Sequence, residues 1–212
     1  MKAMHIVYRA LAAAVMVAAT TSCGSVVRDG RAPVFLVVDK LLAIRGAATP
    51  GTPSTPLVSD VITNVTSPAP CSDASPCPTI FGDSGIVTLR LTPKDIGAVG
   101  ATVTPSTNNE VTITRVHVSY RRTDNRNVEG VDVPYGFDTG ATVTVPASGT
   151  VDLPFELVRN TAKSEAPLIQ LKNNGVIMTA IADVTFYGQD RVGNAISVTG
   201  SIGVDFGNFG DQ

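Results

Sequence analysis

The stretch VIMTAIADVTFYGQDRVGNAISVTGSIGVDF, from Val176 to Phe206, decides how this chain reads. Val176, Met178, Ala180, Ala182, Val184 and Phe186 are apolar at even positions, with Thr179, Asp183, Thr185 and Tyr187 between them. After residues 188–195 the alternation resumes with Ile196, Val198, Gly200, Ile202, Val204 and Phe206 against Ser197, Thr199, Ser201 and Asp205. A period of two marks a strand with one buried and one solvated face. Two such strands joined by a short Gly/Asn/Asp loop predict an antiparallel hairpin. A hairpin with one apolar face needs a second layer over it. Val184, Phe186, Val198, Ile202 and Val204 are expected to be the most buried residues of the chain.

Working outward, Asn173-Asn174-Gly175 turns the chain into this hairpin. Before it, residues 161–171 allow a helical turn with Leu168 and Leu171 on one side, cut short by Pro167. Val151, Leu153, Phe155 and Leu157 predict a strand, as do Ala141, Val143 and Val145. Residues 128–137 read as an edge strand because Pro134 interrupts them. In residues 110–122, Val111 and Ile113 take one parity and Val116, Val118 and Tyr120 the other, so a bulge is expected near Thr114. Val87, Leu89 and Leu91 form another strand. Residues 34–38 and 41–44 are continuous apolar runs around Asp39-Lys40, read as one or two strands buried on both faces. Residues 57–65 alternate weakly. Eight or nine strands with almost no helix predict an all-β antiparallel sandwich with long loops.

The composition agrees. Val and Thr abound, as strands prefer, and the net charge of −2 gives no pull toward nucleic acid. Loss of residues 1–22 would remove Lys2 and Arg9 and no acid, leaving −4.

Those first residues read as a secretory signal peptide, residues 1–22. Lys2, His5 and Arg9 form a basic start, and residues 11–19 are an apolar run too short to span a bilayer. Thr20-Thr21-Ser22-Cys23-Gly24 resembles the lipobox of bacterial lipoproteins, with Thr20 where that family usually has Leu. The resemblance implies a signal-peptide helix ahead of the fold, lipidation of Cys23 and a membrane anchor. Gly24 after the Cys resembles the outer-membrane sorting pattern of enteric-type bacteria. Residues 23–32 would be the lipidated Cys and a tether, and residues 33–208 the folded domain. Nine extended residues reach only ~30 Å, so the domain would sit close to the bilayer. With Cys23 acylated, Cys71 and Cys77 remain, and their spacing in an oxidising compartment predicts a disulfide-closed loop.

Phe186 to Ala195 supplies a second resemblance. Asp190, Gly193 and Asn194 match the D-x-x-G-N turn between the last two strands of many bacterial immunoglobulin-like domains. This implies an immunoglobulin-like or fibronectin-III-like sandwich from about Ser84 to Phe206.

Candidate chemistry is sparse. Gly82-Asp83-Ser84-Gly85 resembles the surroundings of the nucleophile of trypsin-like serine proteases, but in that family the His and Asp come earlier in the chain, and His117, the one His after residue 22, comes later. It reads as a polar turn. Arg115, His117, Ser119 and Arg121 share a strand face, with Arg122 and Arg126 nearby, and read as a solvated face rather than a cationic patch. No metal-ligand cluster, phosphate loop or cofactor motif is evident. The expectation is a non-enzymatic, lipid-anchored envelope lipoprotein that acts as a protein-interaction or assembly module, with no cofactor and no nucleic-acid partner. The alternative is a small-ligand domain, binding sugar through Tyr135 and Phe137 or Ca²⁺ through Asp124, Asp132, Asp138 and Asp190.

Overall fold

A computed structural model describes residues 30–95, 97 and 103–210. The expected signal peptide, residues 1–22, its helix and the expected lipidation at Cys23 lie outside the described residues. Among these, ten strands and three short 3₁₀ turns follow one another, with no α-helix. The strands are β1 (Val34–Ile44), β2 (Leu57–Asp60), β3 (Thr63–Val65), β4 (Cys77–Thr79), β5 (Asp83–Pro93), β6 (Val111–Arg121), β7 (Phe137–Val145), β8 (Thr150–Val158), β9 (Met178–Asp190) and β10 (Ala195–Gly207). They form a three-stranded sheet β1-β5-β8, a five-stranded sheet β2-β10-β9-β6-β7 and the small hairpin β3-β4. The larger sheet curls into a half-barrel, and the fold is all-β and sandwich-like.

The hairpin β9-β10 lies at the centre of the larger sheet. Val198 pairs with Phe186, Ile202 with Ala182 and Val204 with Ala180, so the apolar parities of both arms coincide. Val184, Phe186, Val204 and Phe206 are fully buried, and Ile202 nearly so. Val198 departs from the expectation, being only partly buried against the core. The cause is local: β2 pairs with β10 only from Val204 to Gly207, so the first half of β10 has no hydrogen-bonded neighbour on that edge and meets Val38 and Leu41 of β1 at Gly200 through side chains alone.

Two bulges explain the phase changes. In β6 the register shifts between Ile113 and Arg115, which lets Val111, Ile113, Val116, Val118 and Tyr120 all face inward. In β1 it shifts between Val38 and Lys40. Val34 and Leu36 are buried before that shift and Ala43 after it, while Phe35 stays 53% exposed. The apolar run is therefore a one-sided strand that changes parity at Asp39, not a strand buried on both faces.

Other expectations are corrected. β2 runs parallel to β10, so the sheet is mixed rather than antiparallel. Residues 128–136 are not a strand. Asp132 and Gly130 close turns onto Val128 and Val133, with Gly130 at φ +73°, and β7 begins at Phe137. The segment 57–65 splits into β2 and β3. The turn after β8 is two 3₁₀ turns, Ala162–Ser164 and Leu168–Leu171, with Leu168 and Leu171 buried as expected. Cys71 and Cys77 form the expected disulfide, beside the small hairpin and away from the main core.

Candidate functional site

Chain direction gives the sandwich two distinct ends. Gly30 enters beside the start of β1, where Val34 pairs with Pro93 and where the β9-β10 turn also lies. A cleft of about 380 Å³ at this entry end is lined by residues that include Ala32, Phe35, Lys94, Tyr187 and Ile196. The far end holds the start of β9, the end of β10, the loop between β6 and β7 and the 3₁₀ turns. Thirteen residues of β9 separate the two ends, about 40 Å at strand rise.

Apolar exposure is unevenly divided between these ends. Of ten exposed large apolar side chains among the described residues, seven lie at the far end: Val58, Val128, Val131, Tyr135, Ile169, Val176 and Ile177. Val128 and Val131 stand 60% and 66% exposed on the loop before β7. That loop is held by its own polar contacts. Asn127 Oδ1 accepts from the Arg122 amide at 2.6 Å, Glu129 Oε1 accepts from the Gly136 amide at 3.0 Å, and Asp132 takes the Val128 amide and the Arg126 guanidinium. Arg122 also pairs with Asp124 at 2.7 Å, and this hydrogen bond holds the Asp124 carboxyl below its ordinary range. The loop is thus a platform held by its own polar contacts, with Val133 buried in the core and Val128 and Val131 facing outward.

Beneath this end lies a buried polar cluster. Asp83, at the start of β5, is fully buried. Its Oδ1 accepts from the Gly46 amide at 2.8 Å and its Oδ2 from Ser59 Oγ at 2.6 Å. Lys163 Nζ, also without solvent exposure, lies 2.8 Å from Asp83 Oδ2. This contact is an ion pair whose angle is off the hydrogen-bonding ideal. Burial pulls the Lys163 amine below its ordinary value, against the opposing pull of Asp83. Asp60 beside it takes Arg45 Nη2 at 2.8 Å and the Phe209 amide at 3.2 Å. Tyr120 Oη donates to the Leu157 carbonyl at 2.6 Å, and burial pushes its phenol well above the ordinary range, helped by Asp83. Breaking a buried ion pair by removing one partner costs roughly 3–5 kcal/mol.

The residues singled out in the sequence are not brought together. His117 sits on the outer face of the larger sheet, 3.2 Å from Asp138, and does not approach Ser84 on β5. Each arginine of the expected solvated face has a partner: Arg115 meets Asp138 and stacks on Tyr187, Arg121 meets Asp183, and Arg126 meets Asp132. Phe137 is buried under the Arg159 guanidinium, 4.5 Å from its ring centroid, whereas Tyr135 is half exposed and packs over Gly130. They form no joint platform. Asp190 is buried inside the β9-β10 turn, where it accepts from the Val192 amide, the Asn194 amide and Asn194 Nδ2. Asp124 and Asp132 are tied to arginines and Asp138 to Arg115 and His117, and no metal-holding cluster occurs among the described residues.

Sequence reasoning missed Lys163 and read Asp83 as part of a polar turn, whereas it is buried at the start of β5. In the structure Gly85 lies within β5, where a side chain would collide with the Phe155 ring, but nothing in the sequence alone tells that glycine from one in a turn. Comparison with family models, curated proteins and solved structures finds no match.

Proposed function

We propose that this chain is a lipid-anchored, non-enzymatic lipoprotein of a bacterial envelope. Cys23 carries the anchor, on the outer membrane by the Gly24 pattern. An immunoglobulin-like sandwich carries a protein-docking surface at the end away from the bilayer. The observation behind this reading is the segregation of exposed apolar side chains to the end remote from Gly30. Exposed apolar patches on an ordered surface mark interaction sites. A tether entering at the opposite end points that surface outward, and acyl chains contribute ~0.8 kcal/mol per buried methylene to holding it there.

The immunoglobulin-like assignment rests on topology and on one turn. The first strand is shared between the sheets, β1 on the smaller and β2 on the larger, with β2 parallel to the last strand. The D-x-x-G-N turn is built as its sequence requires. Gly193 sits at φ +86°, and Asp190 satisfies the turn's amides. The step from such a fold to a binding role is analogy, so the surface has to be tested directly. A photo-cross-linking residue placed at Val131 or Ile177 in intact cells should give discrete protein adducts. The same residue at Val192, on the entry-end turn, should give none. Adducts confined to Val192, or none at the far end, would remove the docking surface.

A further inference from the structure

The contact between Lys163 and Asp83 has the makings of a covalent bond. We propose that Lys163 Nζ and Asp83 Cγ are joined as an amide, an intramolecular isopeptide cross-link between the start of β5 and the 3₁₀ turn after β8. Three observations carry this. The two side chains meet at 2.8 Å with no solvent exposure on either. Asp83 is the one carboxylate that meets the amine among the described residues, and their contact is off the ideal hydrogen-bond angle, so the pair only in part offsets the cost of burying the charge. Each carboxylate oxygen has its own donor, the Gly46 amide on Oδ1 and the Ser59 hydroxyl on Oδ2.

The step balances without any other reactant. A proton passes from Nζ to Oδ2 along the contact, leaving an amine and a carboxylic acid; burial of Lys163 favours the neutral amine. The nitrogen lone pair then adds to Cγ. Negative charge collects on Oδ1, where the Gly46 N–H already points, as a backbone donor does in an oxyanion hole. A second proton moves from nitrogen to the Oδ2 hydroxyl, the Cγ–Oδ2 bond breaks, and one water leaves. Nitrogen keeps one hydrogen, as a secondary amide does. Condensation in bulk water is unfavourable, but groups held in contact reach effective concentrations on the order of 10⁵–10⁸ M. A site closed to solvent also slows the reverse hydrolysis. The product would tie β5 to the segment that follows its sheet neighbour β8, beneath the far-end surface.

Peptide mapping tests this on the full chain, purified from membranes in detergent, reduced, alkylated and digested with trypsin. A free Lys163 is a cleavage site, so an unlinked chain gives residues 46–90, 160–163 and 164–172 as separate linear peptides. The expected result is a branched peptide joining residues 46–90 to residues 160–172, uncut at Lys163 and one water lighter than its two parts. Lys163→Arg should eliminate it. Complete recovery of the linear peptides would overturn the proposal. So would a water loss confined to residues 46–90, which would mark a succinimide at Asp83.

Discussion

Replacing Phe186 with alanine should remove the largest single contribution of the central hairpin. Its ring is fully buried and meets Phe155 of the opposite sheet edge-on, with centroids 5.5 Å apart, so it bridges both layers. A buried aromatic side chain removes ~150–250 Å² from water. At about 25 cal/mol per Å² that is roughly 4–6 kcal/mol for the whole side chain. Alanine retains part of it, and measured Phe→Ala losses of ~3–5 kcal/mol agree. Thr185 is the neighbour on the outer face, where its hydroxyl shares a 2.8 Å hydrogen bond with Thr199. Thr185→Ala should therefore cost no more than ~0.5–1.5 kcal/mol. Urea denaturation of both variants, with midpoints and slopes fitted separately, gives the two losses. Because domains have only ~5–15 kcal/mol of stability, Phe186→Ala should shift the midpoint strongly or unfold the protein outright. Equal losses, or a larger loss for Thr185→Ala, would mean that the faces are reversed.

Further outcomes follow from the same geometry. Asp190→Ala removes three acceptor contacts from the β9-β10 turn and should lower stability by about 1.5–4.5 kcal/mol, at ~0.5–1.5 kcal/mol per bond; a thermal midpoint within error of the parent would refute the role given to that turn. Replacing Cys71 and Cys77 together with serine should cost less than the ~3 kcal/mol that chain entropy assigns to a 15-residue loop, because the bridge closes a shorter loop beside a peripheral hairpin; loss of the folded state would show that the loop supports the core. Tyr120 has its phenol raised by burial, so its contribution is whole below the unfolded value of about 10 and is lost as pH rises above it. Tyr120→Phe should thus be less stable than the parent near neutrality but lose less between pH 8 and pH 11, as read from urea midpoints; identical alkaline slopes would contradict this.

The parts of the fold legible in the sequence were those repeated over many residues. Both arms of the hairpin alternate for six or more positions, so pattern and burial coincide except at Val176, which lies exposed ahead of β9, and at Ile196 and Val198, which are only partly buried, and in β6 the parity change at Thr114 announced its bulge. β1 was harder, because Phe35 and Val37 fill its outer face and conceal the alternation. β2 has four residues, and two of the three it buries are Ser59 and Asp60, so neither its pairing nor its parallel direction left a periodic trace. The loop before β7 looked like a strand because Val128, Val131 and Val133 are β-formers, yet turn closure by Gly130 and Asp132 overrode that preference. The polar cluster was illegible for a different reason. Gly46, Ser59, Asp83 and Lys163 are far apart in sequence, and it takes the pairing of β5 with β1 and β8, and of β2 with β10, to draw their neighbourhoods together. The far-end apolar surface likewise combines loops that no local pattern connects.

Whether Cys23 anchors the chain decides which end of the sandwich faces outward, and membrane fractionation measures it. The parent protein should remain with membranes through a high-salt wash and be released only by detergent. Cys23→Ala should appear in the soluble fraction. If Cys23→Ala stays with the washed membranes, the anchor lies elsewhere, and the outward orientation of the far-end surface falls with it.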